Sequence, residues 1–413
     1  MKKWLVLVCV VMLTTFIMAK NVTIEVWTLS LSPTFDDYLN AVVESFEKAN
    51  PGIKVNLVDI PYGAALQKLQ AAIAAGKAPD AVNLNTPWTI DLAAMEALQP
   101  IDNYVTEVEK YLYWEKLWNA TVIDGKSYAV PWYGSPMVLI YNRQIFDEAG
   151  LDPDNPPETF EEMLEVSRII RERTGVYGFE PNINGYMDLI AEGVPMVTPD
   201  GKKAAFNTPK AIEKLKWYQT LYNEELIPRS LGGYIAGKQD YSAGKIAMYP
   251  VGITMLKHIQ VNSPSIFAVT DVAPHPIGDG KILKNSIMNF SIPVNAKHPR
   301  EAVKFVLWMT SPYWQIQFGR YATILPSTKI SYDSDIWFIE NAETDLLIKA
   351  QVMAAKASGY AADISRIPGL DPEKHGEFTR ILNDYFVKAI KGEYTAEEAL
   401  AKAEEEINKL LKK

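Results

Sequence analysis

Apolar and polar positions alternate most clearly near residue 21. Val22, Ile24 and Val26 alternate with Asn21, Thr23 and Glu25, the period of a half-buried strand. Phe35, Leu39, Val42, Val43 and Phe46 then recur at helical spacing. Ser32-Pro33 supplies an N-cap and a first-turn proline, and Asn50-Pro51-Gly52 ends the helix. Ile53, Val55 and Leu57 alternate again, and Leu66, Leu69 and Ile73 form a second helical stripe that stops near Gly76. Ala81 to Leu84 reads as a short strand, and Trp88 to Leu98 as the helix after it. Strand, helix, strand, helix, strand implies right-handed crossovers, a mostly parallel sheet and an α/β fold.

The same style continues downstream. Thr159 and Glu162 form a capping box before Met163, Val166, Ile169 and Ile170, and Asn207-Thr208-Pro209 opens a helix carrying Ile212, Leu215 and Leu221. A second capping box, Thr395 and Glu398, opens the last helix, with Leu400, Ala403, Ile407 and Leu410 on one face. One stretch departs from the rhythm. Met137 to Tyr141 reads as a buried strand, but Pro131-Trp132-Tyr133-Gly134-Ser135-Pro136 stands directly before it, and two prolines and a glycine predict a break in regular structure there.

The first nineteen residues change the picture of location. Lys2 and Lys3 precede an uncharged run from Trp4 to Met18, and Ala19 follows, the pattern of a secretory signal peptide over residues 1–19. The alternative is a retained anchor, for which the run is short. The expectation is therefore a periplasmic or extracellular protein. Cys9, the one cysteine, lies inside the apolar run, so the mature chain has no thiol chemistry. Without Lys2 and Lys3, 39 basic side chains face 50 acidic ones, a net charge of −11. That balance opposes nucleic acid, which calls for a basic face. The length asks for two domains rather than one small core.

Catalytic chemistry finds little support. His258, His275, His298 and His375 are not paired at metal spacing, and no zinc-protease, nucleophile-elbow or Walker motif occurs. Gly278-Asp279-Gly280-Lys281 reads as a turn. Neither an enzyme, a metal nor a cofactor is called for.

Longer blocks carry a resemblance. FEKANPGIKVNLVDIPY (Phe46 to Tyr62) and LQAAIAAGKAPDAV (Leu69 to Val82) resemble the amino-terminal signature of extracellular solute-binding proteins that serve ABC importers. GKSYAVPWYGSPMVLIYNRQIFDEAGLDPDNPPETFEEM (Gly125 to Met163) is similar to their second block. FNTPKAIEKLKWYQTLY, YSAGKIAMYPVG, NAKHPREAVKFVLWMTSPYWQ and GEYTAEEALAKAEEEINKL follow in the family's order, and the subgroup most resembled binds carbohydrates, of maltose-binding type. The resemblance implies a two-lobe periplasmic binding protein fold with a ligand cleft between the lobes and a hinge crossed several times. The first lobe would hold 20–132 and 284–326, and the second 133–283 and 327–413. It also implies a monomer that takes a carbohydrate and delivers it to the transmembrane permease subunits of an importer, with no catalytic step. The alternatives are the same fold with another solute, such as glycerol 3-phosphate, and a secreted carbohydrate-active enzyme.

A sugar offers a face of C–H bonds and a rim of hydroxyls, which flat rings and fixed polar groups satisfy. Strand ends are where such groups gather in α/β sheets. The candidates are Trp27 and Ser30 after the first strand, Tyr62 after the second, and Asn85, Thr86 and Trp88 after the third. Trp132 and Tyr133 stand where the resemblance puts a lobe crossing. Glu180 and Tyr186 follow Tyr177-Gly178-Phe179, Tyr249 and Asn289 lie on or before further cleft segments, and Tyr321 and Arg366 sit in late loops. Trp217, Trp308, Trp314 and Trp337 fall in helical patterns and read as packing residues. Many sugar-binding relatives have a tryptophan shortly after the glycine of the YPVG segment. Here Ile253-Thr254-Met255 follow Gly252, which favours a monosaccharide, polyol or short saccharide over a long one.

If the leader is cleaved after Ala19, mass spectrometry of exported protein finds a chain beginning near Lys20. Intact residues before Trp4 would refute the reading.

Overall fold

The alternating residues at the start of the chain form strand β1 (Val22–Leu29) in the computed structural model, which describes residues 21–330, 332 and 335–412. The leader predicted over residues 1–19 lies outside the described residues. Strands β2 (Ile53–Ile60) and β3 (Ala81–Asn85) pair parallel with β1, one on each side. Helix α1 (Asp36–Ala49) links β1 to β2 and buries Leu39, Val42 and Phe46 of the predicted stripe together with Tyr38, while Phe35 and Val43 are partly buried. It begins later than Ser32-Pro33 indicated. Phe35 occupies the cap position without a side-chain hydrogen bond, while the Ser32 hydroxyl donates to the Asp36 carboxylate (3.2 Å). Helix α2 (Tyr62–Ala74) links β2 to β3, and α3 (Thr86–Ala94) starts directly after β3 because the Asn85 side chain accepts the Trp88 N–H (2.9 Å). Both predicted capping boxes are present, at Thr159/Glu162 and Thr395/Glu398.

The predicted break at Pro131–Pro136 does not occur. Ala129–Asn142 is one strand of 14 residues, hereafter the crossing strand. It pairs antiparallel with the return strand Leu283–Ser291, and a bulge between Met288 and Asn289 leaves Trp132 without an opposite residue. Bulges and edges are where a ladder tolerates proline. The carbonyls of Pro131 and Trp132 instead accept the Ser327 hydroxyl, at 2.7 and 2.8 Å. Gly134 permits the close approach of the return strand, since a Cβ there would lie 2.7 Å from the Asn285 side-chain oxygen.

The first half of the crossing strand pairs with the return strand and with Leu325–Pro326, and its second half with Ile246–Gly252 and Thr270–Pro274. The return strand also pairs with β3, so one ten-stranded sheet runs through both halves of the molecule. That sheet is mixed rather than mostly parallel, because the joining strands run antiparallel. A first core gathers Ile24, Val42, Phe46, Trp132, Phe290, Phe305 and Phe318, and a second gathers Phe146, Met163, Leu215, Phe378, Phe386 and Leu400. The helix Leu346–Lys356 belongs to both sides. Its Ile348, Val352 and Ala355 join the first core, while Ala350 and Ala354 pack with Ile140, Tyr249 and Val272. The segment after Ser327, assigned by resemblance to the second lobe, thus begins inside the first.

Trp132 is fully buried and stacks on Phe318 with ring centroids 4.9 Å apart. Trp132→Ala is expected to cost about 3–5 kcal/mol of folding stability, as for other large buried aromatics. Urea unfolding measures it, and a change below about 1 kcal/mol would contradict the placement.

Candidate functional site

Three strand ends of the first lobe meet in a hydrogen-bonded cluster. Ser30 follows β1 with φ 51°, and its hydroxyl accepts the Tyr62 N–H at 2.9 Å. Asn85, at the end of β3, works in two directions. Its oxygen accepts the Trp88 N–H (2.9 Å), and its amide donates to the Tyr62 hydroxyl (2.7 Å). The Tyr62 and Trp88 rings stack, with centroids 4.8 Å apart and planes at 29°. Tyr62 remains 45% exposed, so this platform is accessible.

Across from it stand groups of the second lobe. Glu180, next after the strand Tyr177–Phe179, is fully buried, and its Oε1 accepts the Gly233 N–H at 2.9 Å while Oε2 has no protein partner. Burial pushes its carboxyl up to about 7, against the lowering effect of the Gly233 and Gly232 N–H groups. Tyr249 is also fully buried and donates its hydroxyl to the Tyr234 carbonyl (2.8 Å). Tyr234 itself is 45% exposed.

The crossing strand lies between the two walls. Tyr133 is partly buried, and its hydroxyl is held above the ordinary phenol range by burial and then by Tyr62 and Tyr234, one ring from each side. Ser135 meets Thr254, hydroxyl to hydroxyl, at 3.1 Å, and Ser286 of the return strand is exposed. A cavity of about 290 Å³ between the lobes is lined by Ser30, Tyr133, Thr254, Lys257, His258 and neighbouring residues.

The remaining predicted positions lie elsewhere. Trp27 is core. Its ring nitrogen donates to Glu25 (2.7 Å), and the Lys68 ammonium sits 5.1 Å from the ring centre. Trp132 is likewise core. Thr86 and Asn289 are fully buried and bonded to each other (3.2 Å), satisfying the sheet rather than facing the cleft. Tyr186 is buried and donates to the Ser365 carbonyl (3.2 Å). Arg366 donates to the Val122 carbonyl (2.6 Å), a bond that ties the late chain to the first half. Tyr321 sits at the end of the helix Pro312–Tyr321, exposed, 6.2 Å from the Tyr38 ring. The structure therefore brings together Ser30, Tyr62, Asn85, Trp88 and Tyr133, with Glu180 and Tyr249 behind the opposite wall. Tyr234, Thr254 and Ser286 were not anticipated. The one available signal was the Gly232-Gly233-Tyr234 sequence, two glycines placing an aromatic at the start of the helix Gly233–Ser242. Among the described residues no group of three or more acidic, histidine or cysteine side chains is arranged to hold a metal ion.

Comparison with known proteins gives a consistent result. Residues 32–316 match the family described as bacterial extracellular solute-binding protein. The maltotriose-binding protein of Pyrococcus abyssi is 27% identical over 350 residues, covering 78% of this chain and 72% of that protein. The sn-glycerol-3-phosphate-binding periplasmic protein of Salmonella typhimurium is 27% identical over 249 residues, 54% of this chain and 53% of that one. The fold superposes on the cyclic alpha-maltosyl-1,6-maltose binding protein of Arthrobacter globiformis with a TM-score of 0.79 at 22% identity, covering 95% and 99% of the two chains.

Glu180 binds its proton more tightly folded than unfolded, so it favours folding at acid pH and loses that contribution as pH rises through about 7. Glu180→Gln is expected to gain on the parent at pH 8, by on the order of 1–3 kcal/mol, and to lose that advantage by pH 5. Urea unfolding at the two pH values reads it. An advantage that does not change with pH would contradict the shift.

Proposed function

Because the chain belongs to the bacterial extracellular solute-binding protein family, we propose that it captures a carbohydrate between its two lobes and hands it to the permease subunits of an ABC importer. The observation that carries this reading is the Tyr62–Trp88 stack, tied by the Asn85 amide and left open toward the cleft. A flat ring covers the C–H face of a sugar at small entropic cost, and the hydroxyls of Ser30, Ser135 and Tyr133 offer partners for its rim. The protein works as a monomer, exported by its leader, and performs no chemical step. Binding favours a closed arrangement, since only then do both walls touch one ligand. A phosphorylated polyol is the second reading, favoured by Lys257 and His258 at the interlobe cavity.

A thermal-shift screen over maltose, maltotriose, N,N′-diacetylchitobiose, myo-inositol and sn-glycerol 3-phosphate tests the assignment. A ligand at about 100 times its dissociation constant adds about 2.7 kcal/mol. No shift with any of the five would overturn the reading, and release of sugar products would indicate an enzyme instead. With a saccharide that binds, Trp88→Ala is expected to lose about 1.5–3 kcal/mol of binding free energy, roughly tenfold or more in affinity, by titration calorimetry. Parent-like affinity would remove the stack from the site.

A further inference from the structure

The two walls of the cleft are unequal. The first lobe presents an accessible aromatic platform. On the second lobe, Glu180, Tyr186 and Tyr249 are at most 4% exposed and offer a ligand almost no surface. Tyr234 does the opposite. Its ring is 45% exposed, and burial first, then the Tyr62 phenol, holds its hydroxyl above the ordinary phenol range.

An exposed tyrosine in the first turn of a helix ordinarily keeps its rotamer freedom. Here the backbone is held at Tyr234 itself and at the residue before it. The Gly233 N–H donates to Glu180 Oε1 (2.9 Å), and the Tyr234 carbonyl accepts the Tyr249 hydroxyl (2.8 Å). Leu231 (φ 47°) and Gly233 (φ 63°) both adopt left-handed backbone, which costs conformational energy at the leucine. A Cβ on Gly237 would stand 2.5 Å from the Tyr249 ring, so the next turn of the helix leaves room for the clamp. Burying a carboxylate with one oxygen unpartnered is unfavourable, and here the interaction that offsets it is spent on holding a turn. The turn's exposed product is the Tyr234 ring.

The geometry points to Tyr234 as the second lobe's ligand platform, closing over a saccharide opposite the Tyr62–Trp88 stack, with Glu180 and Tyr249 as positioning residues that aim it. This assignment rests on the carbohydrate reading above. It moves the contact on this wall from Glu180, Tyr186 and Tyr249, which the sequence nominated, to a residue that it did not.

Calorimetry with maltose, maltotriose and N,N′-diacetylchitobiose, together with hydrogen exchange of the 231–235 turn, tests it. Tyr234→Ala weakens the saccharide that binds the parent by roughly tenfold or more, about 1.4 kcal/mol or more, and Tyr234→Phe stays within about threefold because the ring remains. The fold tolerates both, since the ring is exposed. Ile235→Ala, one residue on and also exposed, binds as the parent does. Tyr249→Phe and Glu180→Ala speed exchange in the turn and weaken binding together, and Glu180→Gln, which keeps an acceptor for Gly233, restores both. Parent-like affinity of Tyr234→Ala overturns the assignment and leaves the carbohydrate reading standing. Weakened binding by Glu180→Ala with unchanged exchange in the turn overturns the positioning role, since Glu180 would then touch the sugar itself. A parent that binds none of the three saccharides refutes the carbohydrate reading, and this inference with it.

Discussion

Two neighbouring antiparallel strands, Ala129–Asn142 and Leu283–Ser291, carry the chain between its two halves, and strands of both halves pair onto them directly or through β3. The return strand hands the ladder to β3 and hence to β1 and β2, while the far half of the crossing strand receives the strands of the second lobe. A paired ribbon is stiff along its length yet can twist, because hydrogen bonds fix neighbour to neighbour and not lobe to lobe. Cleft walls attached to opposite ends of one ribbon are held in register by it. Gly134 and the bulge beside Trp132 are local adjustments that let this ribbon pass between two packed cores.

The joint is also unusually polar for a buried place. Asn289 is fully buried and Asn285 nearly so on the return strand beside the crossing strand, and Asn83 is fully buried on the neighbouring β3. The Asn83 amide donates to the Asn289 carbonyl (2.9 Å) and Asn289 donates to Thr86, which fixes strand positions by directed bonds rather than by apolar contact alone. At the other end of the return strand Lys284 pairs with the buried Asp188 carboxylate at 2.6 Å, and Tyr218 donates to the same carboxylate. Such groups contribute modestly when satisfied and are costly when one partner is lost, so they favour one arrangement of the strands over slipped ones. Apolar burial holds each lobe together, and the Lys284–Asp188 pair adds a directed polar contact between the return strand and the second lobe.

The aromatic side chains divide along the same line. Trp132, Phe318 and Phe290 form a stack inside the first core, whereas Tyr62, Trp88 and Tyr234 keep surface at the cleft. Trp217 packs edge-on against Phe160, and Trp308 against Phe46, as their helical positions indicated. Ring type alone does not separate these groups. Trp132 and Phe290 lie within paired strands, whereas Tyr62 and Trp88 lie just past strand ends, where the sheet stops.

Much of this architecture was legible in the chain. Period-two alternation marked β1 and β2, helical stripes marked α1 and α2, and capping residues marked three later helix starts, because each signal is local and depends on which face an element must bury. The placing of Ser30, Tyr62, Asn85 and Trp88 at strand ends was legible too, since each ends or follows a strand in a βα pattern. Their mutual bonding, from Ser30 to Tyr62 to Asn85, was not, because it joins three turns far apart in sequence. Pro131 to Pro136 misled for a related reason. Proline and glycine report what a segment cannot do alone, and only the return strand and Ser327 supplied the bulge and side-chain bonds that let it stay extended. Trp27 and Trp132 stood near strand ends or crossings in sequence, yet the depth of the core around them was decided by helices arriving from elsewhere in the chain. Local periodicity determined the elements and most of the first wall. Long-range packing decided which aromatic rings reach the cleft, because exposure belongs to the assembled surface and not to any single segment.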